Sequence, residues 1–266
     1  MLDVVERFNV GTFFITSPIR GEGRRRTLRQ WLYAFVGVAG LLMAVAAPGY
    51  GAEGASPGRY GIGFFTDYLV PASEFSSWHK PAPEFGANLS YMLASAKGMA
   101  LEFEYHYSRF NHGRVEKKTF IWGVDQKSYS SPNARNRMTV NSGLINTVIY
   151  FGPKRSGSSG KASPYLAIGT GFYNYVNRTE GLIYPGQKAT PLNPNLLLET
   201  REDNNTSFGV SLGFGTEIMM SPKAALDLRG RYHMVFGHLN PMEAWGVKEV
   251  FPIQMGDVRV AIKFYL

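Results

Sequence analysis

Residues 101–108 read Leu101-Glu-Phe-Glu-Tyr-His-Tyr-Ser108. Alternation with a period of two puts Leu101, Phe103, Tyr105 and Tyr107 on one face of a strand and Glu102, Glu104, His106 and Ser108 on the other. In a soluble sheet the apolar face is the core and the charged face meets water. In a membrane barrel the assignment is reversed. The stretch also sets a histidine and a serine side by side on one face, so it raises a question of chemistry as well as of fold.

Composition narrows the choice. The chain has 266 residues, 44% of them hydrophobic, 14% aromatic and 30 of them glycine. Mean hydropathy is −0.15, too low for a helical membrane protein. Aromatics and glycines at modest charge favour strands and turns. The absence of cysteine removes disulfides, thiolate metal sites and an N-terminal lipidated cysteine. Five histidines without cysteine form no metal-ligand spacing, and neither a metal nor a cofactor is expected. The net charge of +8 is weak evidence for nucleic acid, and no basic helix or aromatic–basic motif supports that class of partner.

Residues 24–52 read as a signal peptide. Arg24-Arg25-Arg26-Thr-Leu-Arg29 is a positive start, Trp31 to Ala47 is uncharged and apolar, and small residues follow through Gly51-Ala52. No charged stop-transfer flank comes after it, which disfavours an uncleaved anchor. Residues 1–23 form an extension ahead of it, as a start assigned too early would produce. The expected division is therefore 1–23 extension, 24–52 signal peptide and 53–266 barrel, with export to the outer membrane.

From residue 59 onward, eight strand-like segments are expected: 59–71, 83–95, 98–110, 137–152, 164–177, 207–220, 224–237 and 254–266. Their connections alternate. Ser95-Ala-Lys-Gly98, residues 152–163 and Ser221-Pro-Lys223 are short, whereas 72–82, 111–136, 178–206 and 238–253 are long. Short turns on one rim and long loops on the other are the pattern of an outer-membrane barrel. The faces agree with this. Val258, Val260, Ile262, Phe264 and Leu266 oppose Arg259, Ala261, Lys263 and Tyr265; Leu226, Leu228, Tyr232, Met234 and Phe236 oppose Asp227, Arg229, Arg231 and His233. The polar faces balance acids with bases and are rich in glycine, which suits a packed interior better than a wet surface. The segment Met138 to Phe151 does not alternate cleanly, and its parity is not legible.

With these features the chain resembles the OmpA/OmpX-like eight-stranded outer-membrane barrels over about residues 57–266. The resemblance rests on the signal peptide, the eight segments, the loop alternation and the C-terminal strand of alternating hydrophobics and aromatics. It implies an all-β, antiparallel up-and-down transmembrane barrel whose last strand is read by the barrel-assembly machinery; with the eighth segment at the end of the sequence, no periplasmic domain is expected after it. The chain departs from the family in ending on Leu266 rather than Phe.

In a barrel of this size side chains fill the lumen, and buried charges there must be paired. Asp67, Glu102, Glu104, Glu217, Asp227, Arg229, Arg231, Arg259 and Lys263 are the expected network. Glu104, Arg229 and Arg259 fall at one height when counted from the short turns. The same charges also fit a second reading, a narrow solute channel.

His106 and Ser108 match part of the His-x-Ser-Asn sequence of PagL-like lipid A deacylases, also eight-stranded barrels. The following residue here is Arg109, and the pair lies on the third strand rather than late in the chain. The parity also turns both residues inward, so no catalysis is expected from them. Glycines at 169, 171, 209, 213 and 215 lie within strands without a following helix, and read as room for large neighbours such as Tyr173 and arginines. The long loops carry Trp78, Trp122, Tyr184 and Trp245, candidates for surface recognition or for packing of loop against loop. Lys117, Lys118, Lys127, Arg135, Arg137 and Arg178 suit lipopolysaccharide phosphates. Outer-membrane lipids, lipopolysaccharide and an unidentified extracellular ligand are thus the expected partners of a structural or adhesive surface protein.

Overall fold

The computed structural model describes residues 60–93, 98–151, 162–188, 190–240 and 250–266. The extension, the signal peptide, most of the two short connections after the second and fourth long segments, and Trp245 lie outside them.

Among the described residues ten strands occur: β1 (Tyr60–Ala72), β2 (Ala82–Met92), β3 (Met99–Phe110), β4 (Thr119–Ile121), β5 (Ser128–Ser130), β6 (Arg135–Tyr150), β7 (Ala162–Glu180), β8 (Arg201–Ser221), β9 (Ala224–Val235) and β10 (Ile253–Tyr265). Eight close into an antiparallel barrel in the order β1-β10-β9-β8-β7-β6-β3-β2, and β4 and β5 form a separate hairpin inside one long loop. Closure pairs β1 with β10, Gly61 opposite Tyr265 and Ala72 opposite Gln254. The barrel sheet itself therefore has no open edge, the condition for crossing lipid with strands.

The eight expected segments are the eight barrel strands, with different ends. The main difference is at β7 and β8, whose ladder runs on to Arg178 opposite Glu202 and Thr179 opposite Arg201. Polar residues continue the pairing past the apolar band, so the loop expected over 178–206 is shorter. Two 3-10 turns, Ser73–Ser77 and Val115–Lys117, and the β4–β5 hairpin structure the other loops.

Outside, the barrel shows Phe64, Phe103, Phe172, Phe214 and Val258, all more than half exposed. The parity of β6 is now fixed: Asn136, Met138, Val140, Ser142, Leu144, Asn146 and Val148 point inward. Its inner face is largely apolar and its outer face carries Thr139, Asn141 and Thr147, the reverse of its neighbours. One outward amide is satisfied locally, as Tyr105 Oη donates to Asn141 Oδ1 at 2.8 Å.

Inward glycines admit bulk. A Cβ at Gly209 would lie 2.7 Å from the Tyr173 ring, one at Gly213 3.1 Å from Arg231 Cβ, and one at Gly215 would collide with the Tyr165 ring. At Gly169 the neighbours are Asn146 and Ser211 instead.

Candidate functional site: a filled lumen and its loop cap

Three zones fill the barrel along its axis. At the short-turn end, Met92, Ala100, Val148, Tyr165 and Ala167 form one apolar cluster and Met219, Ala225 and Tyr265 another. The middle is ionic. At the long-loop end, Leu69, Met138, Val140, Leu144, Tyr173, Tyr175, Val235 and Met255 from the wall join Phe75, Trp78, Val115, Phe120, Trp122, Leu182, Ile183 and Leu239 from the loops in one core.

All nine residues of the expected charge network are buried in the middle zone. Glu104 is its centre: Arg229 Nη1 is 2.7 Å from Oε1, Arg259 Nη1 2.5 Å from Oε1, and Arg231 Nη1 2.5 Å from Oε2. Below it, Glu102 accepts from Arg229 at 2.6 Å and from Lys263 at 2.7 Å. Lys263 also reaches Asp227 at 2.9 Å and Glu217 at 3.9 Å. Asp67 takes Arg259 Nε at 3.2 Å. The forked guanidinium suits this role, because one arginine can serve two carboxylates on different strands.

Several partners were not singled out from the sequence. Asp257 accepts from Arg231 Nε at 3.0 Å and His233 Nε2 at 2.6 Å, while Tyr173 bonds His233 Nδ1 at 2.7 Å. The Tyr165 hydroxyl donates to Asp227 and accepts from Arg229 Nε at 2.8 Å. Tyr265 and Tyr150 donate to Glu217 at 2.6 and 3.0 Å. Glu84 completes the set, 3.3 Å from His106. Asp257 was legible, since it shares the parity of Arg259; Glu84 shares that of Asn88 and Ser90.

His106 and Ser108 both lie inside the barrel, each 1% exposed. His106 Nε2 is engaged by Glu104 Oε2 at 2.9 Å, and the Ser108 hydroxyl has no hydrogen-bond partner. A nucleophilic serine needs a base within hydrogen-bond reach, and this pair lacks that bond.

Of the two roles open to the loop indoles, Trp78 and Trp122 take that of packing. Trp78 and Trp122 are buried, 3% and 2% exposed. Lys118 Nζ lies 4.4 Å above the Trp78 ring, and Trp122 meets Tyr129 edge-on. Burial of both rings outweighs the ordering of their loops, because each aromatic removes a large apolar area from water. Tyr184 remains partly exposed, and Ile121, Val124, Leu196 and Leu197 are among the exposed apolar loop residues. The loops are tied together where Ser131 Oγ accepts from Ile183 N at 2.9 Å. Against slight desolvation, the Tyr129 hydroxyl at 2.5 Å and the Lys127 amide at 2.9 Å hold the Asp125 carboxyl below its usual range. Full burial pushes His79 down to about 3.

On the flank of the cap a cleft of about 600 Å³ is lined by Lys80, Asn111, His112, Glu116, Arg135 and Arg137, among others. Arg137 is held by Glu180 at 3.1 Å, and Arg178 lies 3.5 Å from Glu202. Lys80, Arg135 and the still exposed Arg137 give the cleft a basic lining, offset by Glu116.

A closed antiparallel barrel with an apolar exterior and an ion-paired interior is a specific architecture. The fold is a closed barrel of eight antiparallel strands. No family model matches the sequence, and no curated protein matches it. Among solved structures the barrel is similar to Ail, the attachment invasion locus protein of Yersinia pestis, at 10% identity and a TM-score of 0.46, covering 79% of this chain and 100% of that one. It is also similar to neisserial surface protein A, at 14% identity and a TM-score of 0.40, covering 78% of this chain and 98% of that one. For the N-terminal barrel of Pseudomonas aeruginosa OprF the values are 11% and 0.40, with 80% and 100% covered.

Proposed function

We propose that this protein is an outer-membrane barrel with a structural or surface-interaction role, exerted through its capped outer rim rather than through a pore or a catalytic centre. The observation that carries this reading is the filling of the barrel along its length: tyrosines below, ion pairs in the middle, and loop aromatics above. A solute path would have to break charge pairs that cost several kcal/mol each to separate.

Contact with the surroundings then falls to the rim. Lys80, Arg135 and Arg137 around the cleft suit phosphates of the lipopolysaccharide leaflet, where a guanidinium can bind bidentately. Ile121, Val124, Leu196 and Leu197 offer apolar contact for an extracellular partner.

The test uses full-length protein expressed in a Gram-negative host. Outer-membrane fractions should contain a heat-modifiable band. Liposomes carrying the purified barrel should show no conductance steps. Lipopolysaccharide co-purifying with it should fall several-fold in a Lys80→Ala, Arg135→Ala, Arg137→Ala variant. Regular conductance steps, or equal lipopolysaccharide on both proteins, would overturn the reading.

A further inference from the structure

The described lumen holds seven buried carboxylates, Asp67, Glu84, Glu102, Glu104, Glu217, Asp227 and Asp257, against four permanent cations, Arg229, Arg231, Arg259 and Lys263. Six of the seven carboxylates meet a lysine or arginine within ion-pair distance. Glu84 is the exception among the described residues: its ion-pair neighbour is His106, with Nδ1 3.3 Å from Oε2. Neither of those two atoms makes a hydrogen bond. An isolated buried carboxylate is costly, so something positive belongs beside it.

The surroundings specify what. Asp67 stands opposite Glu84 in the β1–β2 ladder, and Ser108 opposite Glu84 in the β2–β3 ladder. One ligand atom each from Asp67, Glu84 and His106 fall within 4.8 Å of one another, all three residues buried. Ser108, 1% exposed on the same inner face, has a hydroxyl without a partner. The imidazole is oriented from behind. With Nε2 engaged by Glu104 Oε2 at 2.9 Å, Nδ1 is the ring nitrogen turned toward Glu84. A carboxylate behind a histidine, fixing its tautomer, is how metal-ligating histidines are commonly held. Asp67 is likewise oriented by Arg259 Nε, 3.2 Å from each of its oxygens. His233 has no such free nitrogen, since Tyr173 and Asp257 occupy both.

We infer that Asp67, Glu84 and His106 form a divalent-cation site inside the barrel wall, with Ser108 as an adjoining oxygen. One nitrogen and two carboxylates suit Zn²⁺ or Mn²⁺. Ca²⁺ takes six or more oxygens and is disfavoured. The ion would sit under the loop cap and cross-link β1, β2 and β3, a role in stability rather than in catalysis.

For the test, the full chain is unfolded in urea with chelator. It is then refolded into detergent with Zn²⁺, Mn²⁺ or Ca²⁺, desalted, and its metal counted by mass spectrometry. Heat-modifiability on a gel reports folding. Glu84→Gln and His106→Gln are the variants; Glu84 has no arginine to strand, so Glu84→Gln should fold. The expected result is about one Zn²⁺ or Mn²⁺ per folded wild-type chain and no retained Ca²⁺. At least about a tenfold loss of affinity is expected in Glu84→Gln. Folded wild type without metal would overturn the site, leaving a proton on His106 as the counter-charge. Equal metal on wild type and on folded Glu84→Gln would place the ion elsewhere and overturn it too.

Discussion

Arg229 and Glu104 meet across the lumen at 2.7 Å, from strands β9 and β3 that are not neighbours in the sheet. Glu104 also holds Arg231 and Arg259, so one carboxylate ties β3 to β9 and β10 through the interior. The wall is closed by backbone ladders, and this bond sets what the wall encloses.

Glu104→Gln should therefore cost about 1–3 kcal/mol, because it takes one shared carboxylate from three buried guanidinium groups that keep Glu102, Asp257 and Asp67 as partners. Glu180→Gln, which removes an exposed partner of Arg137, should cost no more than about 1 kcal/mol. Urea titrations in detergent, read by heat-modifiability, compare the two. Equal midpoints would mean that the lumen is wet enough to screen its charges.

Two glycines separate packing from mere strand propensity. A Cβ at Gly215 collides with Tyr165 and lies 2.7 Å from the Leu228 carbonyl, whereas one at Gly143 has no heavy atom within 4 Å. Gly215→Ala should destabilise the barrel by about 1–3 kcal/mol. Gly143→Ala, on the outer face, should be neutral by the same titration. A neutral Gly215→Ala would show that Tyr165 can leave Asp227 and Arg229 at no cost.

The cap should respond to acid through His79. Burial against Phe75 and Phe110 lowers its pKa to about 3, while in an opened loop it returns to near 6.5. The opened form then binds the extra proton between those values. The cap keeps its full stability above pH 6.5 and loses up to about 1.4 kcal/mol per unit as pH falls below it. Fluorescence of the buried Trp78 and Trp122 should report opening between pH 7 and 4. The same titration of His79→Phe should be flat; a matching transition in that variant would assign the acid response to another group.

Ser108 should be dispensable for lipid chemistry. Mass spectra of lipid A from cells expressing wild type, Ser108→Ala, His106→Ala or no barrel should be the same. An acyl chain missing with wild type and present in either variant would make the barrel a deacylase, since losing a nucleophilic serine removes activity by orders of magnitude.

Much of this architecture is local information. Alternation along 101–108 or 258–266 needs only the pleat of a strand, and turn lengths need only the spacing between such runs. Parity then assigned Asp67, Glu104, Arg229 and Arg259 to one side without knowledge of their partners. Strand β6 resisted the same treatment. Its inner face lies under the apolar loop core and carries Met138, Val140 and Leu144, so the usual polarity of the two faces is inverted there.

Counting from the short turns set Glu104, Arg229 and Arg259 at one height, but no local pattern showed which of them touch. Glu104 and Arg259 are 155 residues apart, and their meeting depends on the shear and tilt at which the sheet closes. The same closure leaves Glu84 facing His106 instead of an arginine. Loop folding made the remaining decisions: Trp78 and Trp122 looked equally fit for recognition or packing. Only the apolar core at the mouth of the barrel, drawing both indoles out of water, determined which role they took.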